Sequence, residues 1–139
     1  FFKQKTAYEI YQCDWSSDVC SSDLNKKNIE SIFPLWKLNS LDLVTEFIEQ
    51  GFKATIICIN SKLLDRSFLG RDLDWDFIND LPKNIDVCGE NGEFHTFCYD
   101  APFFTHPIKF KYGEQKHRVY LSNKKTENFG FWFQDLIPI

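Results

Sequence analysis

The stretch SLDLVTEFIEQGFKATIICI, residues 40–59, decides the fold. In its first half Leu43, Val44, Phe47 and Ile48 recur at the three- and four-residue spacing that gathers apolar side chains on one side of a helix. Ser40 stands where an N-cap is expected. Asp42 falls in the first turn, where free N–H groups favour negative charge, and Gly51 follows as the residue that can leave the helix with positive φ. From Lys53 to Ile59 the period changes. Nearly every residue is apolar or β-branched, the pattern of a strand covered on both faces. Helix, short loop and buried strand predict an αβ unit.

Working outward, Ser61 to Phe68 predicts a helical turn or two, and Asp74 to Leu81 a short helix closed by Pro82. Asp86 to Gly92 reads as a loop with Asn91-Gly92 as its turn signal, and Glu93 to Tyr99 as a strand. Ile108, Phe110 and Tyr112 alternate up to Gly113-Glu114, and Gln115 to Tyr120 returns, which predicts a hairpin. Ser122 to Asn128 is a polar loop before a last aromatic strand, Phe129 to Leu136. Upstream, Ile32 to Trp36 is a short apolar segment whose Pro34 favours an extended or turning backbone. The expected fold class is α/β at its start, then mostly antiparallel strands, so α+β over this segment as a whole.

Residues 1–24 obey none of these patterns. They show neither a helical nor a strand period, and SSDVCSSD repeats itself. A basic start, a long apolar centre and a small-residue cleavage site are all missing, so the segment is not a secretory signal. Back-translated, Lys3 to Ile10 and Asp14 to Leu24 fit the two ends of a short-read sequencing adapter, with the variable index between them. Residues 1–24 are therefore expected to be an artefactual adapter translation, and residues 25–139 the genuine domain. Setting the segment aside removes two lysines and four acidic residues, which moves the net charge from −4 to −2. It leaves Cys58, Cys88 and Cys98, an odd and unpatterned set that suggests free thiols in a reducing, cytoplasmic setting. No basic stripe suggests nucleic acid, and no apolar run approaches the roughly 18 residues of a membrane span.

The chemistry concentrates in DVCGENGEFHTFCYDAP, residues 86–102. Glu90 and Glu93 bracket the Asn91-Gly92 turn, which places two carboxylates at the lip of a strand, with exposed backbone N–H groups around Gly89 and Gly92. Along the strand Glu93, His95, Phe97 and Tyr99 share one face, and Phe94, Thr96, Cys98 and Asp100 the other. From residue types alone an ordinary hairpin with solvated glutamates is the commoner outcome.

FPLW, EFIEQGFKA, FLGRDLD, CGENGEFHTF, YDAPFF and GFWFQDL occur in that order over residues 32–138. This order resembles the C-terminal, substrate-side portion of the diphthine–ammonia ligase-like ATP-pyrophosphatases. The resemblance implies a Rossmann-like PP-loop domain upstream that holds ATP and Mg. It implies an acceptor carboxylate that is adenylated, and ammonia that displaces AMP to leave an amide. The acceptor of that family, diphthine, carries a quaternary ammonium beside the carboxylate. The family's acceptor motif falls on Gly89, Glu90, Gly92, Glu93, Phe94 and Thr96, with Asn91 and His95 as its variable positions and Asp100 downstream. Glu90 or Glu93 would neutralise the cation, or one of them, with Glu93 the catalytic candidate, would take a proton from ammonium. The family's Gly-rich ATP loop does not occur in these 139 residues, so this fragment is expected to be inactive alone.

Other readings are weaker. Cys88, His95 and Cys98 are irregularly spaced for zinc, and Arg71-Asp72 reads as a loop salt bridge. His106 and His117 have no nucleophile paired with them, so a hydrolase triad has no support. The alternative of a different class is a stand-alone, non-catalytic binding module.

Overall fold

The computed structural model describes residues 32, 34–35, 37–121 and 128–139. The 1–24 segment, two positions of the 32–36 segment and the 122–127 loop lie outside the described residues. The chain divides into the units Phe1–Leu38 and Asn39–Ile139. In the first, the Leu38 N–H donates to the Leu35 carbonyl at 3.2 Å, and Lys37 between them adopts φ 63°. The elements below all belong to the second.

Helix α1 spans Ser40–Glu49, and its cap is Asn39, one residue before the expected Ser40. Asn39 is still extended, and its side-chain oxygen accepts from the N–H groups of Leu41 (2.9 Å) and Asp42 (3.2 Å). Either residue type can cap. The backbone at Ser40, already helical, decides which one does. Gly51, at φ 82°, ends the helix as expected. Strand β1, Lys53–Asn60, is buried at Ala54, Thr55, Ile56, Cys58, Ile59 and Asn60, matching a strand with both faces covered.

β1 is paired antiparallel with β2 (Phe94–Asp100) and, through Cys58 to Asn60, with β4 (Asn128–Pro138), which also carries β3 (Phe110–Leu121). The sheet order is β2-β1-β4-β3, with every pairing antiparallel, so this part of the chain is α+β. The hairpin expected at Gly113-Glu114 does not form. β3 runs straight through, and its register passes from Tyr112↔Leu136 to Gln115↔Gln134, so Gly113 and Glu114 together oppose Asp135 in a bulge. A glycine between two alternating runs signals a bulge as readily as a turn, and the partner strand chooses between them.

Where β1 leaves β4, the segment 70–73 takes over. Gly70 N–H donates to Ile56 O, Ile56 N–H to Arg71 O and Leu73 N–H to Ala54 O, each at 2.8 Å. The helix expected over Ser61 to Phe68 shortens to a 3-10 turn at Arg66–Phe68, capped by Asp65 on the Ser67 N–H (2.9 Å). Ser61 instead donates its N–H to Gly130 O on β4 (2.9 Å), so the chain is still tied to the sheet there. The helix expected over Asp74 to Leu81 forms as α2, Trp75–Asp80, with Asp74 as its cap, accepting from the Phe77 N–H at 2.8 Å.

The core lies on one side of the sheet, where Ile56, Ile59 and Phe94 meet Leu64, Leu69, Phe77 and Ile85. Phe77 is fully buried and packs edge-to-face on Phe68 (5.7 Å) and Phe94 (5.3 Å). Burial of such a ring contributes about 1.5–3 kcal/mol, and it fixes the first residue of β2 where the upstream loop arrives. At the other end of β2, Ile108 N–H donates to Tyr99 O (2.7 Å), and Phe110 packs on Phe97 and Tyr99. Among the described residues no helix is long and apolar enough to cross a membrane.

Candidate functional site

The loop from Asp86 into β2 is closed on itself by two carboxylates. Asp86 Oδ1 accepts from the N–H groups of Cys88 (2.9 Å) and Glu90 (3.3 Å), and the Asp86 carbonyl accepts from Gly89 N–H (3.0 Å). From the other end, Glu93 Oε2 accepts from Asn91 N–H (2.8 Å), while Oε1 accepts from Asp86 N–H and from Asn91 Nδ2, both at 3.2 Å. Gly92 N–H donates to Gly89 O (3.0 Å), and Asn60 N–H ties Glu93 O to β1 at 2.8 Å. The N–H groups expected to be exposed around Gly89 and Gly92 are therefore already bonded within the loop.

Gly89 (φ 71°) and Gly92 (φ 80°) make this path possible. At Gly89 a Cβ would lie 2.8 Å from the Phe94 carbonyl oxygen and 3.3 Å from its ring, so backbone and side chain both require glycine. The loop also reaches α1, where Cys88 Sγ donates to Ser40 O at 3.2 Å. Burial pushes the Cys88 thiol up to about 11, assisted by the negative charges of Asp86 and Glu90.

The two glutamates do not share one position. Glu90 is exposed, as a turn lip predicts, whereas Glu93 is only 3% exposed and faces inward. Asn91 is exposed, Phe94 enters the core, and Thr96 is exposed on β2. His95, half-buried opposite Cys58, is held below the usual imidazole range by desolvation. Asp100 lies six residues along β2 from Phe94, about 20 Å away for an extended strand, and pairs with Lys53 at 3.1 Å. The structure thus gathers Gly89 to Phe94 and leaves Asp100 apart. Asp86 was not singled out from the sequence, although an Asp opening a glycine-containing turn is a recognisable signal.

Among the described residues no three His, Cys, Asp or Glu side chains converge on a metal position, and Cys58, Cys88 and Cys98 are free thiols. Arg71 pairs with Asp80 (2.9 Å) rather than Asp72, which instead accepts from the Tyr99 hydroxyl (3.1 Å). Burial, with Asp72 beside it, raises the Tyr99 phenol to about 12. His117 does have a hydroxyl partner. Its Nε2 lies 3.1 Å from Ser61 Oγ, a contact between β3 and the end of β1 that sequence spacing cannot reveal.

The fold and this loop define an α+β domain whose outward loop carboxylate, Glu90, stands on a turn bonded within itself. The family model of the diphthamide synthase C-terminal domain matches residues 39–128, which contain α1, the loop and most of the sheet. The chain belongs to this family. It is 36% identical over 103 residues to the diphthine–ammonia ligases of Bos taurus and Homo sapiens, and 34% to that of Mus musculus. These matches cover 70% of this chain and 37% of each relative, so the chain spans little more than a third of the length of the curated relatives it matches.

Proposed function

We propose that residues 25–139 are the acceptor-side part of an ATP-dependent amide ligase, acting with an ATP-binding domain of the full-length protein. The relatives are diphthine–ammonia ligases, and the matched residues include the whole Asp86 to Glu93 loop. The glycines of this segment do not fit the phosphate groups of ATP. Gly51, Gly70, Gly89 and Gly92 each serve a single turn, and the N–H groups of Gly89 and Gly92 are already bonded. ATP and Mg are therefore assigned to the ATP-binding domain, and the residues here to holding a carboxylate-bearing acceptor of the diphthine type and admitting ammonia.

In this reading the accessible face of the stretch from Gly89 to Thr96 borders the acceptor pocket, and Glu93 and Phe94 support it from within. The observation that carries it is the division of labour between the glutamates. The Glu93 carboxylate accepts three hydrogen bonds and shapes the loop, which leaves Glu90, exposed and without an ion pair among the described residues, as the charge offered to the acceptor's cationic group. Glu93 is only 3% exposed and three of its roughly four acceptor sites are filled by donors of the loop itself, so in this reading it is a positioning residue. The test uses the full-length parent with acceptor and ATP varied separately. Glu90→Gln is expected to raise acceptor KM about two- to fivefold, the range for an exposed charge pair, with kcat and ATP KM unchanged. A fall in kcat with unchanged acceptor KM, partly rescued at higher pH, would make Glu90 the base for ammonia instead.

A further inference from the structure

Arg66, Gln115 and Gln134 form a hydrogen-bond chain whose direction is set from its buried end. Gln134 is 7% exposed, and its Nε2 donates to the carbonyls of Gly113 (3.1 Å) and Asp135 (3.0 Å). With the nitrogen so placed, the Gln134 oxygen points the other way and accepts from Gln115 Nε2 at 2.8 Å. Gln115 then presents its own oxygen, to which Arg66 Nε donates at 2.7 Å. Each amide has one orientation that satisfies its neighbours, and the chain ends on the arginine.

The guanidinium is held by a second contact, lying 4.6 Å from the centroid of the Trp132 ring. An exposed arginine ordinarily samples many rotamers. Here both Nε and the guanidinium plane are constrained, which leaves the two Nη groups as a preorganised fork of donors. Arg66 makes no ion pair among the described residues. Two of the acids near it in sequence or strand register are otherwise engaged. Asp65 caps the Ser67 N–H, and Glu114 pairs with Lys116 at 3.2 Å. His117 leans on the same indole (4.7 Å) and carries Ser61 on its Nε2. Gly130 makes that contact possible, since a Cβ there would fall 2.5 Å from Ser61 Oγ and 2.8 Å from His117 Nε2.

The geometry points to an oxyanion site: Arg66, anchored by Gln115 and Gln134 and stacked on Trp132, takes a phosphate or carboxylate group, with the Ser61–His117 pair as the neighbouring polar contact. This site uses no side chain of the Asp86 to Glu93 loop and does not rest on the ligase reading. A guanidinium fork matches two oxygens of either group in a bidentate arrangement that a lysine ammonium cannot reproduce.

The test titrates the full 139-residue chain with inorganic phosphate, pyrophosphate and acetate at constant ionic strength. It follows the Arg66 Nε–H and Trp132 indole N–H resonances. Saturable shifts of both are expected. Arg66→Lys, which keeps the charge, should weaken binding about five- to thirtyfold. Gln115→Ala, which keeps the arginine and removes its anchor, should weaken it about three- to tenfold. Arg66→Met keeps an apolar stem over Trp132 and should abolish binding. Tighter binding of the phosphates than of acetate would identify a phosphate-bearing ligand, and the reverse a carboxylate. Absence of saturation by every probe up to about 20 mM, or parent-like affinity in Arg66→Lys and Gln115→Ala, would overturn the site.

Discussion

Replacing Glu93 with glutamine tests whether this carboxylate is structural, and the size of the effect follows from its three bonds. A glutamine can keep its oxygen toward Asp86 N–H and Asn91 Nδ2, the two donors that Glu93 Oε1 now accepts at 3.2 Å. Its Nε2 then faces Asn91 N–H, where Oε2 now accepts at 2.8 Å, so a donor meets a donor. Hydrogen bonds to a charged group contribute about 1.5–3 kcal/mol each, and stranding the part-buried Asn91 N–H costs toward the low end of the about 1–3 kcal/mol of a buried donor. Removing a buried charge returns part of this through relieved desolvation. A net loss of about 2–3 kcal/mol remains, which in a domain of this size lowers Tm by roughly 10–20 °C. Thermal and urea unfolding of the whole chain measure it, with Glu90→Gln as the exposed control, expected within about 0.5 kcal/mol of the parent. Amide exchange at Asn91 and Asp86 reports the loop directly, and both should lose protection in Glu93→Gln alone. If Glu93→Gln instead unfolds like the parent and the Asn91 amide stays protected, the carboxylate does not hold the loop.

Two further outcomes follow from the same geometry. Gly89→Ala should cost at least about 2 kcal/mol, because alanine is strained at φ 71° and its Cβ meets the Phe94 carbonyl oxygen at 2.8 Å; unchanged urea stability would show that the loop can take another path. Tyr99 should ionise near pH 12 rather than the usual 10, and Asp72→Asn should lower that midpoint in a spectrophotometric titration. Its folded-state pKa is raised, so its contribution is complete below pH 10 and is lost as pH rises toward 12.

Local signals were legible wherever one short-range pattern had one structural solution. The spacing of Leu43, Val44, Phe47 and Ile48 placed α1, with Asp42 in its first turn and Gly51 at its exit, and the apolar run from Lys53 placed β1. Asp74 and Pro82 bounded α2 closely. The same local rules misjudged Gly113-Glu114, because a bulge and a turn need the same backbone freedom and differ only in which strand lies opposite. The family, too, was readable from motif order alone.

What the sequence by itself determined about this protein is therefore its family, its first αβ unit and the position of the loop between Asp86 and Glu93. Tertiary structure alone decided the direction of each side chain in that loop. Glu90 and Glu93 are alike in type and flank the same turn, yet one faces solvent while the other is enclosed by donors from Asp86 and Asn91. Pairing across the sheet is likewise invisible to spacing. Ser61 meets His117, and Arg66 meets Gln115 and Trp132, only because β4 lies between β1 and β3. The physical reason is one of range. Backbone propensity and side-chain period act over a few residues, whereas burial, strand register and hydrogen-bond satisfaction are properties of residues brought together from some fifty positions apart.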